Sequence, residues 1–246
     1  MLISPQNFSI MNATTRRLFL SGLAAVGLRP LYGEDASKGR SAVIVVDIQA
    51  DFTEAHQGSL AVAGTDKAYL KAVVKATEKL KAAGHLIFAT QDWHPADHVS
   101  FVSNHQGRQA FEVIKIEGRD QVLWPAHCIQ ETKGAEMLLD PRLFTKVVKK
   151  GKDRRFDSYS GFQDDGGART EMESVLREAG VREVIVYGVA TDYCVRATAL
   201  DAATAGFKVT MVRGLSRGVA ADSTKKALAD LKSAGVTVVE SLPVLA

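Results

Sequence analysis

Short, continuous apolar runs recur along the chain, and stretches with helical spacing separate most of them. The continuous runs are Ala42–Val46, Leu86–Ala89, Val147–Val148 and Val184–Val189, and Phe207–Val212 and Val236–Val239 are strand-like runs interrupted by Lys208, Thr210 and Thr237. Runs of this length bounded by polar residues predict strands buried on both faces. Residues 65–83 place Leu70, Val73, Val74, Thr77 and Leu80 at helical spacing with lysines opposite, and Gly84 follows as a helix stop. Residues 171–179, closed by Gly180, the segment after Asp192, and residues 224–234 read as further helices. Alternating strands and helices predict an α/β fold: a doubly wound, mainly parallel sheet with helices on both faces. Residues 152–170 are rich in Gly, Asp and Ser and read as a long loop, the kind that serves as a lid or binding element.

Composition is that of a soluble globular protein, 46% hydrophobic and 24% charged over 246 residues. The N-terminal 33 residues stand apart. Arg16-Arg17 precedes a modest apolar stretch, Leu18 to Leu28, too short for an ordinary membrane span. This pattern reads as a twin-arginine export signal over residues 1–33, with a single domain over 34–246 and a periplasmic destination. The alternative is a cytoplasmic protein with an N-terminal extension. The leader carries Arg16, Arg17 and Arg29 and no acidic residue, so without it Lys+Arg falls from 31 to 28, equal to Asp+Glu. The near-neutral body gives no case for nucleic acid or an anionic membrane as partner, and no stable membrane insertion is expected after processing.

Candidate chemistry gathers at the strand ends. Cys194 lies where the strand ending at Val189 turns into a helix, and a cysteine facing a helix N-terminus favours thiolate; the plainer alternative is a small buried hydrophobe. Asp47 closes the run Ala42–Val46. Lys149 and Lys150 follow Val147–Val148 and face opposite ways by alternation, so only one can enter a given cleft. A doubly wound sheet brings such strand ends together, which lets a carboxylate and an ammonium flank a thiol. Asp92 and His94, two apart at another strand end, share one side, and His127 offers a third ligand. One carboxylate and two imidazoles suit one divalent metal ion, zinc, iron(II) or manganese. His98 reads as a group behind the ligands or a polar loop residue, with a fourth ligand as the alternative; His56, His85 and His105 read as ordinary polar residues. Trp93 and Trp124 flank these ligands and suit stacking on a flat aromatic molecule, or core packing.

Five segments, IVVDIQADF, QDWHPADH, WPAHC, KKG with DSYSGF, and GVATDYCV, occur in one order. Together they resemble the nicotinamidase/pyrazinamidase branch of the isochorismatase-like hydrolases, from about Ala42 to the C-terminus. The resemblance implies a catalytic triad of Asp47, Lys150 and Cys194. It implies an oxyanion hole from the backbone N–H groups of Ala190 and Cys194, with a cis peptide before Ala190. Asp92, His94 and His127 would bind the metal, zinc being the first choice, and Phe52 and Trp124 would line the ring pocket. The implied substrate is nicotinamide or a related aromatic amide such as pyrazinamide, and a homo-oligomer is compatible with the reading. Ala50 stands where the family usually carries asparagine, and the leader is unusual for enzymes of NAD salvage. The alternatives are an amidase of the same superfamily with a different amide, or a ligand-binding or redox protein on this fold.

Overall fold

The structure, a computed structural model, describes residues 40–245; the export segment expected over residues 1–33 lies outside them. Strands β1 (Arg40–Val46) and β2 (Leu86–Asp92) flank helix α1 (Lys67–Ala82). Strands β3 (Val113–Ile116) and β4 (Arg119–Val122) form a small antiparallel hairpin. Then come β5 (Lys146–Lys150), α2 (Met172–Glu178), β6 (Val181–Gly188), α3 (Arg196–Thr204), β7 (Lys208–Val212), α4 (Ala221–Ser233) and β8 (Thr237–Val239). Six strands make one sheet in the order β5-β2-β1-β6-β7-β8, and every neighbouring pair is parallel.

Alternation within β1 sorts the core into two layers. Ala42, Ile44 and Val46 pack with α2, α3 and α4 through Met172, Leu176, Ala199, Ala202 and Leu231. Val43 and Val45 face the other way, against α1 through Tyr69, Val73, Ala76 and Leu80. Both faces are therefore covered, as the continuous apolar runs predict. Lys67–Ala82 starts where the Asp66 carboxylate accepts from the Tyr69 N–H, and it ends before Gly84.

Two local features depart from the sequence reading. The β3–β4 hairpin was not anticipated; it turns through Glu117 and Gly118, both at positive φ, without the Asn-Gly or Asp-Gly pair that usually announces such a turn. The join after β6 is not the first turn of an α-helix. Thr191–Val195 form a five-residue π-helical turn, closed by the Val195 N–H on the Ala190 carbonyl, and α3 begins only at Arg196.

Candidate active site

Strand order places the site. β1 lies between β2 and β6, so the chain departs in opposite directions on either side of it, and the crevice beyond the strand ends opens there. Register does the rest: Asp92 on β2 is opposite Lys150 on β5, and Val46, just before Asp47, is opposite both Thr90 and Gly188. Asp47 itself adopts a left-handed backbone, φ 48°, and is fully buried.

Lys150 is the hub. Its Nζ donates to Asp92 Oδ1, to the Ser158 carbonyl at 2.8 Å and to Cys194 Sγ at 3.4 Å, and lies 3.0 Å from Asp47 Oδ2. Asp47 Oδ1 accepts from the Thr90 hydroxyl at 2.6 Å, whereas Oδ2 faces the Lys150 ammonium. A carboxylate oxygen close to a thiol, with an ammonium beside both, is where the thiol proton can go. One oxygen each from Asp47 and Asp92 and the Cys194 sulfur lie within 4.8 Å of one another. Lys149, on the opposite side of β5, sits over the Trp93 ring at 3.4 Å.

Burial sets the resting charges. It pushes the Cys194 thiol well up; the Lys150 ammonium pulls against it, but Asp47 and Asp92 push the same way as burial. The thiolate expected from a helix terminus is thus overridden, and the sulfur rests protonated. Burial also raises the Asp47 carboxyl, with Lys150 opposing. At Lys150 burial favours loss of the proton, yet Asp47 and Asp92 hold it well above its ordinary value, so the ammonium persists.

Next to this group, Asp92 Oδ2 lies 3.4 Å from His94 Nε2 and 3.9 Å from His127 Nε2. His94 Nδ1 bonds the Gly151 carbonyl at 2.9 Å and His127 Nδ1 the Pro125 carbonyl at 2.7 Å. A carbonyl can only accept, so each ring donates from Nδ1 and turns Nε2 toward Asp92. Gly151, at φ 67°, allows that approach, since a Cβ there would lie 2.2 Å from the His94 ring. Burial opposes charge on both rings; Asp92 raises His94 in spite of it, while His127, burdened by its neighbour, is lowered to about 4. Burial works against ionised Asp92 too, but Lys150 and His94 hold its carboxyl far below the usual range. Two oriented imidazole nitrogens around an ionised carboxylate fit a divalent cation.

His98 is not directed into this set. Its Nδ1 accepts from the Ser100 N–H, its Nε2 bonds the Phe156 carbonyl, and its ring packs 4.3 Å from that of His94. It braces the His94 ring from behind. His56 bonds the Thr53 hydroxyl and His105 the Val99 carbonyl, away from the site.

A pocket of about 440 Å³, its mouth included, opens onto Cys194, Ala190, Asp92 and His127. Phe52 and Trp124 line it as the motifs imply, but Trp93 does not: it packs beside the α1-side core under Lys149. The peptide before Ala190 is cis, and the Ala190 N–H donates to no backbone carbonyl among the described residues. Sequence reasoning passed over several contributors. Tyr159 bonds the Trp124 indole N–H, Tyr193 meets Trp124 edge-on at 4.9 Å, and Val219 closes the outer wall. Gln49 accepts from the Asp92 N–H and donates to the Asp92 carbonyl, fixing that residue's backbone. Thr90 had a legible signal, a hydroxyl at the strand end two residues before Asp92; Tyr159 and Tyr193 lie within the quoted motifs but carry no sign of facing a pocket, and Val219 lies outside them.

A sheet-edge thiol with an adjacent carboxylate and ammonium, beside a site fit for a metal, defines a cysteine hydrolase of the α/β class. The isochorismatase domain profile matches residues 41–241, and the chain belongs to that family. It is 38% identical over 208 residues to the nicotinamidase of Acinetobacter baylyi, covering 83% of this chain and 94% of that one. Among solved structures, an Acinetobacter baumanii nicotinamidase pyrazinamidase is similar with a TM-score of 0.74 at 37% identity, over 82% of this chain and 96% of that one. The pyrazinamidase of Pyrococcus horikoshii in complex with zinc is similar with a TM-score of 0.68 at 38% identity, over 82% and 99% of the two chains.

Proposed function

We propose that this protein is a metal-dependent amidase that hydrolyses nicotinamide to nicotinate and ammonia through a cysteine thioester. One observation carries the reading: Cys194, Asp47 and Lys150 converge at the same pocket as Asp92, His94 and His127. A carboxamide on a ring with a basic nitrogen uses both halves at once. The relatives' names point the same way.

Asp47 Oδ2 takes the thiol proton as Cys194 Sγ bonds to the carboxamide carbon. Lys150 steadies the negative charge passing between sulfur and carboxylate. The Ala190 and Cys194 N–H groups hold the oxygen as the carbon becomes tetrahedral. Asp47 then returns its proton to the amide nitrogen, the C–N bond breaks and ammonia leaves. Water, deprotonated by Asp47, attacks the thioester, and nicotinate departs as Cys194 regains its proton. Asp92, His94 and His127 would hold the divalent cation, zinc by its donor set, which supplies a Lewis-acidic anchor for the ring nitrogen and offsets the Asp92 charge. Phe52 and Trp124 bracket the ring, and pyrazinamide fits the same chemistry.

Metal-loaded protein should release stoichiometric ammonia from nicotinamide. Cys194→Ala should lower turnover by at least about a thousandfold, and chelation should abolish activity that zinc restores. Normal turnover by Cys194→Ala would remove the nucleophile, and full activity without metal would remove the metal.

The reading extends to location. Arg16-Arg17 and the apolar stretch after it support twin-arginine export of the domain that follows, to the periplasm. Replacing both arginines by lysine should leave the protein in the cytoplasmic fraction; unchanged export would refute the signal.

A further inference from the structure

Val219 presents a puzzle of placement. It forms part of the pocket wall, yet it is 39% exposed, so burial does little to hold it there. Its backbone is held instead, mainly by one carboxylate. Asp192 Oδ1 accepts from the Val219 N–H at 2.9 Å, and Oδ2 accepts from the Ala220 N–H at 3.2 Å and the Ser223 hydroxyl at 2.5 Å. Helix α4 begins at the next residue, Ala221, and its N-cap residue, Ala220, has no side-chain oxygen to offer. Asp192 supplies that cap from another element, where its negative charge also suits the helix dipole. On the other side of the same segment, the Thr191 N–H donates to the Arg217 carbonyl at 2.8 Å. Residues 217–220 are therefore fastened at both ends to Thr191 and Asp192, in the turn that carries Cys194.

We infer that Asp192 is a positioning residue for specificity: by tying the Val219 wall to the nucleophile's turn it fixes the pocket width and restricts the site to monocyclic ring amides. This rests on the amidase reading for the identity of the ligand. Nucleophile and wall share one anchor, so the distance from sulfur to wall cannot relax independently. Asp192→Asn preserves shape but replaces one accepting oxygen with a donor, which cannot receive an N–H. The wall then loosens toward solvent, which is where Val219 is already open.

The test uses zinc-loaded protein and the non-hydrolysable product acids. Calorimetry gives Kd for nicotinate and for the bicyclic quinoline-3-carboxylate, with melting temperature measured alongside. Wild type should prefer nicotinate, and Asp192→Asn should reduce that preference about tenfold, the size expected when a pocket wall shifts by a methylene or so. Val219→Ala should reduce it similarly, and the double variant should go no further than the larger single effect, because both act on one wall. An unchanged preference with a lowered melting temperature would make Asp192 merely structural and overturn the inference, as would independent, multiplying effects in the double variant. Should Asp192→Asn fail to fold, Ser223→Ala, which removes one of the three bonds, must show a smaller change in the same direction or the inference falls. Nicotinamide turnover in the same samples separates the two claims: wild type that binds nicotinate without releasing ammonia from nicotinamide refutes the amidase reading, and the ratio of the acids still decides Asp192.

Discussion

Burial around Cys194 outweighs the lone ammonium beside it, so the sulfur rests as a thiol, and in the proposed mechanism it depends on Asp47 to become a nucleophile. The Asp47 carboxyl is raised by burial, which Lys150 and the Thr90 hydroxyl only partly counter. As the proposed base, Asp47 must be ionised, so kcat/KM should fall as pH drops through this raised value, above the ordinary carboxylate range. Thr90→Val removes a bond that favours the ionised form, and the acid limb should move upward by about one pH unit. Lys150→Met should move it the same way and also depress the plateau. A pH–rate profile reads both; an acid limb unmoved by Thr90→Val would mean another group controls it. Of these residues, Asp47, Lys150 and Cys194 were legible as polar breaks at the ends of apolar runs. Thr90 showed only as a hydroxyl at a strand end, and Gln49 not at all, because what matters in each is a partner 43 residues away.

At the level of elements, the seat of the nucleophile depends on how closely β6 approaches β1. Gly188 ends β6 at φ 136°, and a Cβ there would fall 2.1 Å from the Val46 carbonyl oxygen. Backbone cannot give way as a flexible side chain can, so Gly188→Ala should push the turn at Thr191–Val195 away from Asp47. A loss of about 3 kcal/mol or more in stability is expected, together with near-total loss of activity; urea unfolding and an ammonia assay check the two. The strands and helices of the sheet were predictable within a few residues, since their apolar faces follow a fixed period. The hairpin at Val113–Val122 and the π-helical turn were not. Each is set by backbone geometry that common turn residues do not announce.

For the molecule as a whole, the proposed ligand set would couple metal binding to stability. Asp92 ends β2, whereas His94 and His127 lie on the irregular chain beyond it, so a cation would tie those segments to the sheet. Zinc at a hundredfold excess over its Kd should stabilise the fold by about 2.7 kcal/mol, raising the melting temperature by about 5 to 10 °C. His127→Ala should erase most of that shift while leaving the metal-free protein folded. Calorimetric melting with and without zinc tests this, and an undiminished shift in His127→Ala would place the cation elsewhere.

What the sequence determined by itself was periodic or local: an α/β sheet covered on both faces, carboxylates, lysine and cysteine at strand ends, and two imidazoles near a carboxylate. These follow from side-chain alternation and from polar residues interrupting apolar runs, which are properties of neighbours along the chain. Only the tertiary structure decided the rest. Strand order set Lys150 against both Asp47 and Asp92, burial turned the expected thiolate into a thiol, and the pocket drew Tyr159, Tyr193 and Val219 together from separate segments. Desolvation and close approach are sums over the folded surroundings, and no stretch of sequence contains them.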